Sequence, residues 1–153
     1  MSFTTRLLAA IDARRPAPEA HAHCDGPCGV YDPASARIAA EAVLSMTKKL
    51  VDLGDGGDLA AENTKGRYIA IKEEQAEIAK RELNILWHDY FKPNHLEAYP
   101  DLHTTFWNAA KQCSATKTSV DVAAAEELMS QIENIHNIFW ATKGREVPWY
   151  TAS

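Results

Sequence analysis

Apolar residues recur at helical spacing along most of this sequence, and the clearest stripe lies towards its C-terminal end. The stripe predicts a helix that opens near residues 119–121 and closes at Gly144. Residues three or four positions apart share one face of a helix, so we expect this face to be buried. Its members are Ala125, Leu128, Ile132, Ile135 and Phe139.

Three further stretches predict helices of the same kind. The first ends at the glycine-rich residues 54–58, the second runs from about Leu59 to Phe91 and is ended by Pro93, and the third spans roughly residues 101–114. We expect these helices to bury their periodic apolar positions. These positions are Ile38, Ala42, Met46, Leu50 and Leu53 in the first helix, Ile71, Ile78, Ala79, Ile85 and Leu86 in the second, and Leu102, Phe106, Ala109 and Cys113 in the third.

The order of these elements indicates the fold class. Four amphipathic helices with short connections, and no strand-like alternation, favour an all-α, up-and-down four-helix bundle. Residues 14–20 contain two prolines and have the composition of a linker, so they separate the beginning of the chain from the rest. We therefore predict a separate segment over residues 1–22 and a bundle domain over residues 23–153.

Composition and charge narrow the range of partners. The formal net charge is −5 and no block of Lys or Arg is present, so binding to nucleic acid is not expected. No apolar stretch is long enough to span a bilayer. The short apolar patch at residues 7–11 is followed at once by charged residues, unlike a secretory signal. We therefore predict a cytoplasmic protein without a membrane partner.

Two of the three cysteines lie in one short turn rich in proline and glycine. Cys24 follows His23 directly, and Cys28 comes four residues later. Since a reducing cytoplasm disfavours a structural disulfide, the pair indicates metal or redox chemistry. Three interpretations are open: a site for a soft metal ion, a thiol redox protein, and a helical binding module with a structural metal turn. Cys113 lies on an apolar helix face, so we expect a buried thiol there.

The segment around Cys24 and Cys28 resembles the nickel hook of the nickel superoxide dismutases. The matching run is His23-Cys24-Asp25-Gly26-Pro27-Cys28-Gly29-Val30-Tyr31-Asp32-Pro33. Residues 86–93 and 138–143 are similar to that family as well. The resemblance implies one nickel ion per subunit, a homohexamer, and disproportionation of superoxide to dioxygen and hydrogen peroxide. It also implies a precursor whose first residues are removed by a maturation peptidase.

In this family the mature chain begins at the histidine of the hook, so the resemblance implies cleavage between Ala22 and His23. The implied nickel ligands are the new α-amine of His23, the amide nitrogen and thiolate of Cys24, and the thiolate of Cys28. Two nitrogens and two sulfurs would form a square plane, with the His23 imidazole as the axial ligand. Anionic thiolate donors suit this metal.

The resemblance also assigns roles to residues around the hook. Tyr31 and Tyr90 would flank the open face of the nickel, order water there and limit access. Asp25 would help to hold the site by hydrogen bonding. Lys92 and Lys143 are candidates for electrostatic guidance of the superoxide anion.

One feature departs from the family pattern. The glutamate and the arginine that hold the axial imidazole in well-known members fall here on Ala39 and Gln75. A histidine that binds a metal normally has its second ring nitrogen fixed by a partner. We expect Gln75, Glu41 or water to take that role. Of these, we predict Gln75 as a site residue.

Overall fold

The computed structural model of the chain describes residues 29–152. Within that range the chain forms five α-helices, one π-helical turn and no β-strand. The elements are α1 (Ala34–Leu53), α2 (Leu59–Ile85), the π turn (Leu86–Tyr90), α3 (Pro93–Ala98), α4 (Leu102–Thr118) and α5 (Val122–Thr142). No helix in this part of the chain is long and apolar enough to cross a membrane.

The four long helices pack in a ring. Helix α1 contacts α2 and α5, and α4 contacts the same two helices. Large apolar side chains fill the space between them, and α3 is a short addition between the π turn and α4. The central members of this core are Leu83, Leu102, Leu128, Ile132, Ile135 and Phe139. The predicted all-α four-helix bundle is therefore confirmed.

Helix α5 follows its predicted boundaries and its predicted face. Asp121 caps its first turn, because the carboxylate accepts hydrogen bonds from the amides of Ala123 (2.9 Å) and Ala124 (3.3 Å). Gly144 ends it with a φ of 64°, a left-handed conformation that favours glycine. All predicted stripe residues of α5 and α4 are buried, as expected. They are Ala125, Leu128, Ile132, Ile135 and Phe139 in α5, and Leu102, Phe106, Ala109 and Cys113 in α4.

The apolar face predicted for α1 is wrong in part. Ile38 has 57% of its surface exposed, and Ala42, Met46 and Leu53 are only half-buried, although Leu50 is buried as predicted. The buried face carries mostly small side chains, which let α1 approach α2 and α5 closely. It includes Ala36, Ala39, Ala40, Val43 and Thr47. Side-chain size, rather than hydrophobicity, therefore determines which face of α1 packs inside.

The seven-residue repeat of isoleucines does not mark the buried face of α2, so that expectation is also wrong. Ile71 is 38% exposed, and Ile78 and Ile85 are half-buried. Ala79 and Leu86 are buried as predicted. The buried positions recur at spacings of four and three residues, one position away from the isoleucines. They are Lys72, Ala76, Ala79, Leu83 and Leu86.

Lys72 explains why this face of α2 turns inward. Its ammonium group donates hydrogen bonds to the main-chain oxygens of Thr116, Lys117 (2.9 Å) and Ser119 (2.8 Å). The last carbonyls of a helix lack partners within the helix, and one lysine has three N–H donors. Lys72 thereby closes the C-terminal end of α4. Burial lowers the pKa of Lys72, whereas neighbouring Glu73 raises it.

The second predicted helix does not continue as an α-helix to Phe91. Helix α2 ends at Ile85, and the amide of Phe91 then donates to the carbonyl of Leu86 (3.1 Å), five residues earlier. Phe91 and Lys92 are extended, because Pro93 disfavours helical backbone at the residue before it. Pro93 also opens the short helix α3, which was not predicted.

Candidate metal centre

The residues expected to bind or hold nickel precede the described part of the chain, so their assignment stays a prediction. They are His23, Cys24, Asp25 and Cys28, and Ala22, expected at the cleavage site, also lies outside the described residues. The described chain starts directly after them with Gly29, whose φ of 65° is a left-handed conformation that glycine adopts without strain. The part of the site that the structure describes is therefore the surface against which the chain packs after Gly29.

The chain enters α1 through a fixed turn. The Asp32 carboxylate accepts a hydrogen bond from the amide of Ala34 (2.8 Å), and the carbonyl of Pro33 accepts one from the amide of Arg37 (3.0 Å). A carboxylate is also favourable at the positive end of a helix. The link between the hook and the bundle is therefore held at its bundle end.

Tyr31 and Tyr90, which the resemblance assigns to the open face of the nickel, are in contact with each other. Tyr31 belongs to the segment before α1, and Tyr90 ends the π turn. Their ring centroids lie 5.7 Å apart at an interplanar angle of 53°, and both side chains are half-buried. Tilted aromatic rings at this separation attract each other. Tyr31, three residues after the last predicted ligand, therefore meets Tyr90 at one end of the bundle.

The Tyr90 ring is fixed from several sides. Its centroid lies 4.5 Å from that of Phe139, 5.0 Å from that of Phe91 and 5.5 Å from that of His95, on which it stacks. The phenol oxygen is 2.6 Å from the Thr142 hydroxyl. Since Thr142 donates its own hydrogen to the Phe139 carbonyl (2.6 Å), the Tyr90 hydroxyl must be the donor to Thr142. The orientation of this phenol is therefore determined.

The two candidate lysines differ in their surroundings. The Lys143 ammonium lies 5.3 Å from the Tyr90 ring centroid and 4.9 Å from that of Phe139, which are cation–π distances. Lys92 is exposed, and its main-chain amide donates to Nδ1 of His95 (3.1 Å). The structure thus places the charge of Lys143 directly beside the tyrosine pair, and Lys92 on the adjoining surface.

Three residues bear on the missing partner of the axial imidazole. Ala39 is buried, and Gln75 is half-buried on α2. Glu41 accepts hydrogen bonds from Arg37 (3.3 Å) and from the amide of Ala152 (2.7 Å). Two positions along a helix correspond to about 200°, so Glu41 points away from the side of Ala39. The carboxylate of Glu41 is thus already engaged in hydrogen bonds. The carboxamide of Gln75 makes no such contact with the described residues.

The comparison with protein families decides the family of the chain. The model of the nickel-containing superoxide dismutases matches residues 18–143 of this chain. The chain belongs to this family. Two relatives named "Superoxide dismutase [Ni]" agree: that of Streptomyces seoulensis is 48% identical over 122 residues, and that of Streptomyces coelicolor is 45% identical over 122 residues. Each match covers 80% of this chain and 88% of the relative.

Solved structures of nickel superoxide dismutases share the fold. A crystal structure with the nickel ligation of the oxidised state matches with a TM-score of 0.72 and 47% identity. A native structure at 1.30 Å matches with the same TM-score and 44% identity. Each match covers 80% of this chain and 100% of the other chain. The bundle of this nickel superoxide dismutase is therefore the family's bundle.

The donor set of the chain fits the nickel of this family. Between residues 29 and 152, no three side chains of His, Cys, Asp or Glu converge as a metal site. Cys113 is buried as predicted, and burial raises its pKa to about 12, so this thiol does not ionise near neutral pH. Residues 23–28 offer two thiols and one imidazole, which are donors that nickel accepts.

Two side chains at this end of the bundle were not predicted. Thr142 orients the Tyr90 phenol, and Trp140 has a buried indole N–H without a hydrogen-bond partner among the residues described. Both belong to the stretch 138–143, whose similarity to the family was a signal for them. Their contacts, however, depend on how the end of α5 packs against the π turn.

Proposed function

We propose that this nickel superoxide dismutase forms its active site when the chain is cut between Ala22 and His23. Residues 1–22 are then the leader and residues 23–153 the mature enzyme. Cleavage converts an amide nitrogen, which is a poor ligand, into an α-amine. The metal would be held by the amine and imidazole of His23, by the amide nitrogen and thiolate of Cys24, and by the thiolate of Cys28.

The Tyr31–Tyr90 pair is the observation that carries this proposal. Tyr31 follows the hook closely, and both tyrosines lie inside the matched family segment. The bundle fixes their positions relative to each other. Nickel held beside it would supply a one-electron couple, by which one superoxide is oxidised to dioxygen and another, which takes up two protons from solvent, is reduced to hydrogen peroxide. The two phenols order water at the open face of the site and admit only a small anion.

Charged and polar residues complete the proposed site. The leader carries three arginines, one aspartate and one glutamate, a net charge of +1, so its removal changes the formal charge from −5 to −6. An acidic enzyme that uses an anionic substrate needs local positive charge, which Lys143 and Lys92 supply. Asp25 holds the hook by hydrogen bonding, and Gln75 orients the imidazole of His23.

Assembly and location follow the family. We propose a homohexamer in the cytoplasm, produced from the precursor by a maturation peptidase. The support is the membership in the nickel superoxide dismutase family and the match to whole chains of solved members. Size-exclusion chromatography with light scattering on the mature chain tests the hexamer directly.

The experiment compares the full chain with a chain that begins at His23, both loaded with nickel. We expect superoxide disproportionation only in the shorter chain, and none after Cys24→Ser or Cys28→Ser, with helical content unchanged. Cys113→Ala is the matched cysteine control and should remain active, because this thiol lies in the core.

Two outcomes would overturn this mechanism. Equal nickel-dependent activity in the full chain would show that the α-amine is not needed. Substantial activity in Cys24→Ser would exclude the thiolate as a required ligand. Activity of the metal-free chain would instead support the thiol redox alternative, and tightly bound zinc without activity would support the binding module.

A further inference from the structure

The C-terminal tail, residues 145–152, lies beyond the segment that the family model matches, which ends at residue 143. It follows α5 and has no regular secondary structure. Two of its apolar members, Val147 and Trp149, pack against the main core, whereas Tyr150 is 63% exposed. The tail is therefore an ordered addition to the family's bundle.

The first half of the tail is bound to α5. The carbonyl oxygen of Val147 lies 2.8 Å from Nε2 of His136, and a carbonyl only accepts, so the imidazole donates. The Trp149 ring lies edge-on to the same imidazole, with centroids 5.3 Å apart and an interplanar angle of 73°. His136 is only 5% exposed. This contact is thus formed in the interior rather than on the surface.

The second half of the tail is bound to α1. The amide of Ala152 donates to Oε1 of Glu41 (2.7 Å), and the Arg37 guanidinium lies 4.3 Å from the centroid of the Tyr150 ring. Arg37 and Glu41 also form an ion pair with each other (3.3 Å), and both are buried. A buried ion pair is stable only when its remaining hydrogen-bonding groups are satisfied. The tail satisfies part of that need.

The position of these contacts on α1 determines which part of the molecule they stabilise. Arg37 and Glu41 lie in the first two turns of α1, and the segment before α1 leads back to the hook. Helix ends open more readily than helix centres. Contacts that hold the first turns of α1 against α5 therefore also stabilise the start of the segment that leads back to the hook.

We propose that the C-terminal tail is a strap that binds the first two turns of α1 to α5 and keeps the nickel hook seated. Trp149, Tyr150, Arg37 and Glu41 act as positioning residues, and none of them touches substrate. The stabilisation of α1 is inferred from the contacts described above. The effect on the hook rests, in addition, on the proposed function.

The test uses the chain that begins at His23, in four forms: unchanged, truncated after Gly144, Trp149→Ala, and Trp149→Phe. Glu146→Gln, in the exposed part of the tail, is the matched control. Hydrogen–deuterium exchange is measured on the metal-free chains. We expect the amides of residues 37–41 to exchange about tenfold faster after truncation or Trp149→Ala, as the loss of about one hydrogen bond predicts. Helix α4 should be unaffected, and Trp149→Phe should restore most of the protection.

Nickel-loaded chains provide the second measurement. Release of nickel to a chelator should be severalfold faster in the truncated chain and in Trp149→Ala, with an altered electron paramagnetic resonance line shape, and unchanged in Glu146→Gln. Unchanged exchange at residues 37–41 would overturn the strap. Faster exchange with unchanged nickel release would overturn its role in seating the hook. Failure of the unchanged mature chain to bind nickel would contradict the proposed function, while the exchange data would still decide on the strap.

Discussion

The two ends of the bundle use buried polar groups in opposite ways. At one end, Lys72 lies 18 residues before Tyr90, a distance of about 27 Å along a helix, and all three of its N–H donors bind main-chain oxygens. At the other end, Tyr90 donates to Thr142 but keeps its oxygen lone pairs, and Trp140 has an N–H without a partner in the described chain. The N–H donors of Lys72 are thus fully used, whereas Tyr90 and Trp140 keep hydrogen-bonding capacity.

The largest expected effect concerns the lysine end. Lys72→Met removes three hydrogen bonds and leaves the last carbonyls of α4 without a donor. Burying unsatisfied groups is costly, so we expect the free energy of unfolding to fall by about 3 kcal/mol. Urea unfolding of the full chain, followed by circular dichroism, measures this loss.

Lys80→Met is the matched control for this prediction. Lys80 lies on the same helix and makes one described hydrogen bond, to the Ser114 hydroxyl (3.0 Å), so its loss should be less than about 1 kcal/mol. Equal losses in the two variants would show that Lys72 has no special role in closing α4.

A smaller effect, also near the lysine end, depends on pH. Burial raises the pKa of Cys113 from 9.0 to about 12, so the thiol stays neutral in the folded chain at a pH where it ionises in the unfolded chain. Its contribution to stability is complete below pH 9 and declines above it, by about 1.4 kcal/mol at pH 10. Unfolding free energies at pH 8 and pH 10 should therefore differ more in the parent chain than in Cys113→Ala.

Lys72 titrates in the opposite sense, because its lowered pKa increases stability as pH rises towards the value of the unfolded chain. Its contribution is common to both chains and cancels in the comparison. An identical pH dependence of the parent chain and Cys113→Ala would contradict the burial of this thiol.

The smallest expected change in stability lies at the aromatic end, where the change in activity should be larger than the change in fold. Tyr90→Phe keeps the ring contacts and loses the hydrogen bond to Thr142, so we expect about 1 kcal/mol of destabilisation. The superoxide disproportionation rate of the mature nickel-loaded chain should fall about fivefold. Tyr99→Phe, another half-buried tyrosine that packs on the same core, is the control. An equal fall in both variants would remove Tyr90 from the site.

The hydrophobic pattern predicted the fold because the residues that it marks in helices α4 and α5 are buried. It failed in part on α1 and α2, where alanines, Thr47 and Lys72 occupy buried positions while Ile38 and Ile71 are exposed. Periodicity weighs hydrophobicity, whereas close packing and the capping of a distant helix end select residues by size and by hydrogen bonds. These partners lie far away in sequence and become visible only in three dimensions.

The candidate site divides in a similar way. The resemblance to the family assigned Tyr31 and Tyr90 to the open face of the nickel, which stays a prediction, and the structure shows that the two rings are in contact. The hydrogen bond that orients Tyr90 was not predictable, because Thr142 lies 52 positions away and is reached only through the packing of α5. The ligand residues themselves stay a prediction from the sequence.

The π turn has one more consequence for this end of the molecule. Neighbouring side chains on a regular α-helix diverge by about 100°, so the directions of Tyr90 and Phe91 depend on the number of residues in the π turn. The wider turn and the extended backbone after it let both rings join the same cluster, 5.0 Å apart. The turn thus determines the direction in which every later side chain points. A deletion of one residue between 86 and 90 would therefore separate the rings of this aromatic cluster.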